Sequence, residues 1–86
     1  MEVNELILQV KKKIEKNIIV QNIVITDKTF LHKKHSSHTI GKFHLELSIV
    51  SDELKELNKI DATKKIYKIL DDEINKYIHS IKISIN

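Results

Sequence analysis

The side chains best suited to chemistry in this sequence are five histidines, and the chain contains no cysteine. His32, His35 and His38 lie within one short segment, whereas His79 lies alone near the C-terminus. Neutral imidazole is a common ligand for transition metals, and no thiolate of this chain competes with it. We therefore expect imidazoles to carry any metal or redox chemistry, and any sulfur ligand to come from another molecule.

Other kinds of chemistry have little support in the sequence. Without cysteine, the chain has no disulfide, no thiol nucleophile and no thiolate zinc site. It also shows no recognisable nucleophile–base pair or phosphate-binding loop. The acidic run Asp71-Asp72-Glu73 is consecutive, so its side chains cannot share one face of a helix, and we interpret them as solvated. The sequence therefore predicts a protein that is not an enzyme.

The composition predicts one small folded domain that spans residues 1–86. Hydrophobic residues make up 41% of the chain, with one glycine and no proline. All 15 basic residues are lysine and the net charge is +3, which permits contact with nucleic acid without requiring it. The first residues are acidic, and no apolar stretch approaches the roughly 20 residues of a membrane helix. We therefore expect a cytoplasmic protein without a membrane span.

Three helical segments are predicted from the spacing of apolar residues and from potential caps. The first spans residues 4–16 and is capped by Asn4. A short helical turn at residues 53–57 follows a cap offered by Ser51 and Asp52, and a longer helix begins at a cap provided by Asp61. The apolar stripes of the two longer helices consist of Leu6, Ile7, Val10 and Ile14, and of Ile66, Ile69, Leu70 and Ile74.

Three strands are predicted, at residues 18–26, 43–49 and 79–85. The alternation of the last strand puts His79 on its apolar face, whereas His44 lies on the outward face of the second strand and is expected to be exposed. A polar segment at residues 28–42 should join the first two strands as antiparallel neighbours, and the helical crossover should place the last strand parallel to the second. The sequence thus predicts an α+β fold of order α-β-β-α-α-β, with a three-stranded mixed sheet covered on one face by helices.

Short motifs within these elements resemble those of the BolA-like family. The segment from Asp27 to His32 is similar to the family's "DESxxH", and Phe43-His44-Leu45 is similar to its "THF". Further along, Ile49-Val50-Ser51-Asp52 resembles "VS(D/S)xF", Ile66-Tyr67 resembles "(V/I)Y", and Ile78-His79-Ser80-Ile81 resembles "HAL". The resemblance covers essentially the whole chain and implies a single BolA-like domain, with a fold like that of a type II KH domain.

The resemblance implies a role in iron–sulfur chemistry. Members of the family are partners of monothiol glutaredoxins and share a [2Fe–2S] cluster with them, for cluster trafficking or iron regulation. Carried over to this chain, the C-terminal histidine ligand is His79 and the second ligand is His32, with His35 and His38 as reserves. Because this chain supplies no thiolate, the cysteine of the glutaredoxin and a glutathione would complete the cluster. The free protein is expected to be a monomer or a weak homodimer.

Two alternatives remain at this point. The first is a KH-like transcriptional regulator that binds nucleic acid through Lys59, Lys64, Lys65 and Lys68 of the long helix. Against it, the chain has no "GxxG" loop, which KH domains use to grip the nucleic-acid backbone, and Ala62-Thr63-Lys64 stands where the family often has "RHR". The second is a zinc or copper site formed by the loop histidines with His79.

Overall fold

A computed structural model of the chain describes residues 2–29 and 42–86, in which four helices and three strands occur. In chain order they are α1 (Val3–Asn17), β1 (Asn22–Asp27), β2 (Phe43–Val50), α2 (Asp52–Lys55), α3 (Lys59–Ile69), α4 (Asp71–Lys76) and β3 (Ile78–Ile85). The predicted order is confirmed, except that the long helix is divided into α3 and α4. The division lies at Leu70, whose φ of −98° and ψ of 17° depart from helical values.

The described strands form one mixed sheet in the order β1-β2-β3. β1 and β2 are antiparallel, with Asn22 opposite Val50 and Asp27 opposite Leu45. β2 and β3 are parallel, as expected for two strands joined by a helical crossover. Both predicted pairings are therefore confirmed, and the central strand is β2. The first strand is shorter than predicted, because Ile18 instead closes α1 with a backbone hydrogen bond to Ile14.

The hydrophobic core lies between one face of the sheet and the helices. The central strand contributes Leu45, Leu47 and Ile49 to this face, all of them buried. The helices cover them with Leu6, Val10, Ile14, Leu54, Ala62, Ile66 and Leu70. Burying a leucine or isoleucine side chain contributes about 1.5–3 kcal/mol, so these stripes account for the way the helices dock. None of the described helices has the length and apolar character needed to cross a lipid bilayer.

The helix caps were predicted correctly at one position out of three. Ser51 caps α2, because its hydroxyl accepts a hydrogen bond from the backbone N–H of Leu54. At α1 the cap is Glu2 rather than Asn4, and at α3 it is Asn58 rather than Asp61. In both cases the residue predicted as the cap instead donates its backbone N–H to the side chain of the actual cap. A cap and its donor lie two or three residues apart, so neighbouring polar residues compete for the role.

The interpretation of the acidic run as solvated is wrong for Glu73, which is only 1% exposed. Its carboxylate accepts hydrogen bonds from Lys13 Nζ at 2.9 Å and from Gln9 Nε2, so it ties α4 to α1. Burial acts to raise the pKa of the Glu73 carboxyl, but these hydrogen bonds outweigh it and hold that pKa below its ordinary value. The hydrogen bond to Glu73 in turn raises the pKa of Lys13.

Candidate functional site

His79 lies in an irregularity at the start of β3. Phe43 of β2 pairs with Ile78, but the next residue, His44, pairs with Ser80, so His79 is an extra residue in the ladder. An inserted residue of this kind is a β-bulge, which interrupts the alternation of side chains and redirects the residue concerned. His79 is accordingly exposed, and the buried position belongs to Ile78. The prediction that His79 lies on the apolar face is therefore wrong.

His44 is held firmly beside the bulge. The prediction that it is an exposed surface residue is wrong, since it is only 5% exposed. Its Nδ1 lies 2.6 Å from Oγ of Ser80, within hydrogen-bond distance. Its backbone N–H donates to Oγ1 of Thr29, and its carbonyl accepts from the backbone N–H of Lys28. These bonds hold His44 near the start of β2, with its ring on the face of the sheet opposite the helices.

The bulge brings the rings of His44 and His79 together. Their centroids are 4.9 Å apart and the ring planes are inclined by 55°. This separation brings the two imidazoles into contact, while Nδ1 of His44 lies against Ser80. The arrangement joins a buried, anchored histidine with an exposed one. His44 was not among the residues predicted for the site. Its position in Phe43-His44-Leu45, the segment similar to the family's "THF", could have indicated it.

The described residues supply a histidine pair rather than a complete metal site. Across residues 2–29 and 42–86, no group of three or more histidine, aspartate or glutamate side chains is arranged to hold a metal ion. The other histidines predicted as ligands, His32, His35 and His38, lie outside the described residues. A [2Fe–2S] cluster takes four ligands, so the described residues could supply only part of its ligand set.

A cavity of about 420 Å³ borders the buried member of the pair. Three charged residues line it: Lys28 directly after β1, Glu46 of β2 and Lys82 of β3. Ser80 also lines this cavity, next to its contact with His44. A partner that approaches His79 would therefore meet charges of both signs beside this cavity.

The lysines considered for nucleic-acid binding lie on a different element. Lys59, Lys64, Lys65 and Lys68 all belong to α3 and are exposed. Lys65 is paired with Glu53 of α2, with Nζ and Oε2 3.3 Å apart. Tyr67, between them in sequence, is 41% exposed. These side chains form an exposed basic surface on α3, whereas His79 lies on β3.

Comparison with known proteins agrees with this fold. A sequence profile described as BolA-like protein matches residues 14–86. The chain is 28% identical over 74 residues to the "DNA-binding transcriptional regulator BolA" of Haemophilus influenzae, an alignment that covers 86% of this chain and 69% of the relative. It is 26% identical over 81 residues to "SufE-like protein 1, chloroplastic/mitochondrial" of Arabidopsis thaliana, covering 88% of this chain but only 22% of that protein.

Comparison with solved structures also finds BolA domains. The BolA domain of SufE1 from Arabidopsis thaliana superposes with a TM-score of 0.77 at 25% identity, covering 92% of this chain and 87% of that one. BolA1 from the same plant superposes with a TM-score of 0.78 at 22% identity and the same coverage, a likeness that shows the fold. Since the sequence profile spans most of the chain and these folds agree with it, this chain belongs to the BolA-like protein family.

Proposed function

We propose that the protein is a non-catalytic iron–sulfur partner that binds a monothiol glutaredoxin and co-ligates a bridging [2Fe–2S] cluster. One observation carries the proposal: the bulge at the start of β3 exposes His79 and packs its ring against the anchored His44. An exposed imidazole on a rigid strand is well placed to reach a metal group held by another protein. We further propose that the free chain is a cytoplasmic monomer or weak homodimer.

The donor chemistry is consistent with a shared cluster. Two histidines can replace two cysteines on one iron of a [2Fe–2S] cluster if two thiolates remain. With no cysteine in this chain, those thiolates come in our proposal from the glutaredoxin and from glutathione. Since imidazole must be neutral to bind metal, such ligation is weakened by acid, which suits a protein that passes the cluster on.

We assign His79 as the first ligand and His32 as the second, with His35 and His38 in reserve. His79 is exposed, as a ligand shared across an interface must be. His44 is nearly buried and its Nδ1 is in contact with Ser80, so we assign it the role of orienting His79 rather than that of binding iron. Removing a residue that orients a metal ligand typically lowers metal affinity 10–100-fold.

The experiment that tests this function is reconstitution with a monothiol glutaredoxin, iron, sulfide and glutathione, followed by visible circular dichroism. We expect the mixture to give a spectrum distinct from that of the glutaredoxin alone. His79→Ala should alter the distinct spectrum, because one imidazole ligand is lost, whereas Lys76→Ala, an exposed change just before β3, should preserve it. A spectrum that His79→Ala leaves unchanged would remove His79 from the site.

A second candidate function is suggested by the name of one relative, a DNA-binding transcriptional regulator. The exposed lysines of α3 and Tyr67 would form the contact surface. If this function holds, the chain alone should bind duplex DNA with a steep salt dependence and a preference among sequences. Weak binding without sequence preference would reflect the positive charge of the chain and nothing more.

A further inference from the structure

β3 offers an unpaired edge. Among the described strands its one neighbour is β2, so the backbone groups on its other side are free of ladder pairing within the described sheet. The strand is eight residues long and is rich in isoleucine, a residue that favours strands. Edge strands are usually protected by charges, prolines or bulges, and beyond the bulge at His79 the charge of Lys82 is the only such feature in β3.

A groove of about 420 Å³ runs beside the C-terminal half of this strand. Ile83 and Ile85 of β3 form one wall, and both are half-buried. The corner between α2 and α3 forms the other wall, where Leu54 is buried and Leu57 is 38% exposed. The groove therefore has an apolar floor that the helices leave partly uncovered.

The rim of the groove is positively charged. Among the described residues that line it, Lys55, Lys59 and Lys82 are charged and none is acidic. All three lysines are exposed, and none of them forms an ion pair with another residue of the described chain. An apolar floor beneath three exposed lysines, of which Lys82 has Glu46 opposite it on β2, is complementary to a segment that carries both apolar and acidic side chains.

We propose that this groove binds an extended acidic segment of a partner protein, which adds to the free edge of β3. In this arrangement backbone hydrogen bonds extend the sheet, apolar side chains enter the groove, and carboxylates along the segment lie within reach of the lysines on the rim. A second copy of the chain is disfavoured, because its own Lys82 would be brought to an already basic edge. Single-stranded nucleic acid is disfavoured, because none of the described residues that line the groove is aromatic and able to stack on a base.

Most of this surface lies away from the histidine pair, although Lys82 also lines the cavity beside His44. At about 3.3 Å per residue, Ser84 in the groove lies roughly 16 Å along β3 from His79. The partner segment and a cluster at His79 could thus be bound at the same time. The proposal does not depend on the iron–sulfur function, and it is tested with the chain alone.

The test is a nuclear magnetic resonance titration of the ¹⁵N-labelled full chain with a short acetylated peptide of alternating valine and glutamate. We expect the largest amide shifts in residues 81–85, together with slower hydrogen exchange there. Replacing Lys55, Lys59 and Lys82 by glutamate should weaken binding about tenfold or more, since each exposed ion pair contributes up to about 1 kcal/mol. A control with glutamate at Lys11, Lys12 and Lys16, exposed on α1, has the same net charge and should bind normally.

Three results would overturn the proposal. The control triple variant could lose as much affinity as the groove variant, which would make the attraction a matter of net charge. A control peptide of the same length, with lysine in place of each glutamate, could bind equally well, which would show that charge complementarity plays no part. An oligothymidylate could shift the same β3 amides more strongly than the peptide, which would make the groove a nucleic-acid site instead.

Discussion

The hydroxyl of Ser80 lies 2.6 Å from Nδ1 of His44, across the first pair of β2 and β3 that follows the bulge. The contact joins a buried ring to the residue directly after His79 and so ties the bulge to the central strand. In the motif that this segment resembles, "HAL", the corresponding residue is alanine. The hydroxyl of Ser80 therefore makes a contact that an alanine could not make, and this contact ties the residue after His79 to His44.

We predict that Ser80→Ala lowers the free energy of unfolding by about 1 kcal/mol, the usual net contribution of one hydrogen bond. The measurement is urea denaturation. Ser84→Ala is the matched control, because Ser84 is on the same strand and makes no side-chain hydrogen bond to any other described residue; it should change stability by less than about 0.5 kcal/mol. Equal losses in the two variants would mean that the Ser80–His44 contact contributes nothing specific.

Substitution can distinguish the proposed second ligand, His32, from the proposed orienting residue, His44. We predict that His32→Ala shifts the visible bands of the reconstituted heterocomplex, because a ligand has been replaced. His44→Ala should preserve the band positions and reduce cluster retention about tenfold, as expected for a residue that only orients a ligand. If His44→Ala moves the bands and His32→Ala does not, the two roles are reversed.

The buried acid Glu73 should be important for stability. We predict that Glu73→Gln destabilises the fold by about 1 kcal/mol, because it removes the ion pair with Lys13 but keeps a group that can bond to Gln9. The estimate is modest because the Lys13 side chain is 36% exposed and its charge is screened by water. Asp72→Asn, an exposed change next to it in sequence, is the control and should be nearly neutral.

The same pair predicts a pH dependence. Because folding lowers the pKa of Glu73, its contribution is complete above the ordinary glutamate pKa of about 4.3 and is lost as the pH falls through the lower, folded-state value. Folding raises the pKa of Lys13, so that contribution is lost only as the pH rises above about 10.4. The stability difference between the wild type and Glu73→Gln should therefore be constant near neutral pH and shrink in acid. A difference that grows in acid would contradict the pairing.

The core can be tested at α3, where two isoleucines differ in environment. Ile66 is fully buried and Ile60 is 68% exposed. We predict that Ile66→Ala costs about 2–5 kcal/mol, because it leaves a cavity against the sheet. Ile60→Ala should change stability by less than about 0.5 kcal/mol in the same denaturation experiment. A comparable cost at both positions would show that α3 docks with another face.

The element order, both strand pairings and the family could be predicted from the sequence, because they follow from hydrophobic periodicity and short motifs. The position of His79 could not, since a bulge changes the parity of a strand without changing its composition. The burial of Glu73 was also missed, because a glutamate in an acidic run gives no sign that Lys13 will face it from another helix. The proximity of His44 and His79 depends on the register of β2 against β3, which sequence periodicity leaves open.

The central claim is that His79 binds iron in a cluster shared with a glutaredoxin. The most direct measurement is pulsed electron paramagnetic resonance of the reduced heterocomplex, in which only this chain carries ¹⁵N-histidine. We predict strong ¹⁵N couplings from two imidazoles, one of which disappears in His79→Ala. A cluster that shows no strong ¹⁵N coupling, or one whose couplings are unchanged in His79→Ala, would contradict the account.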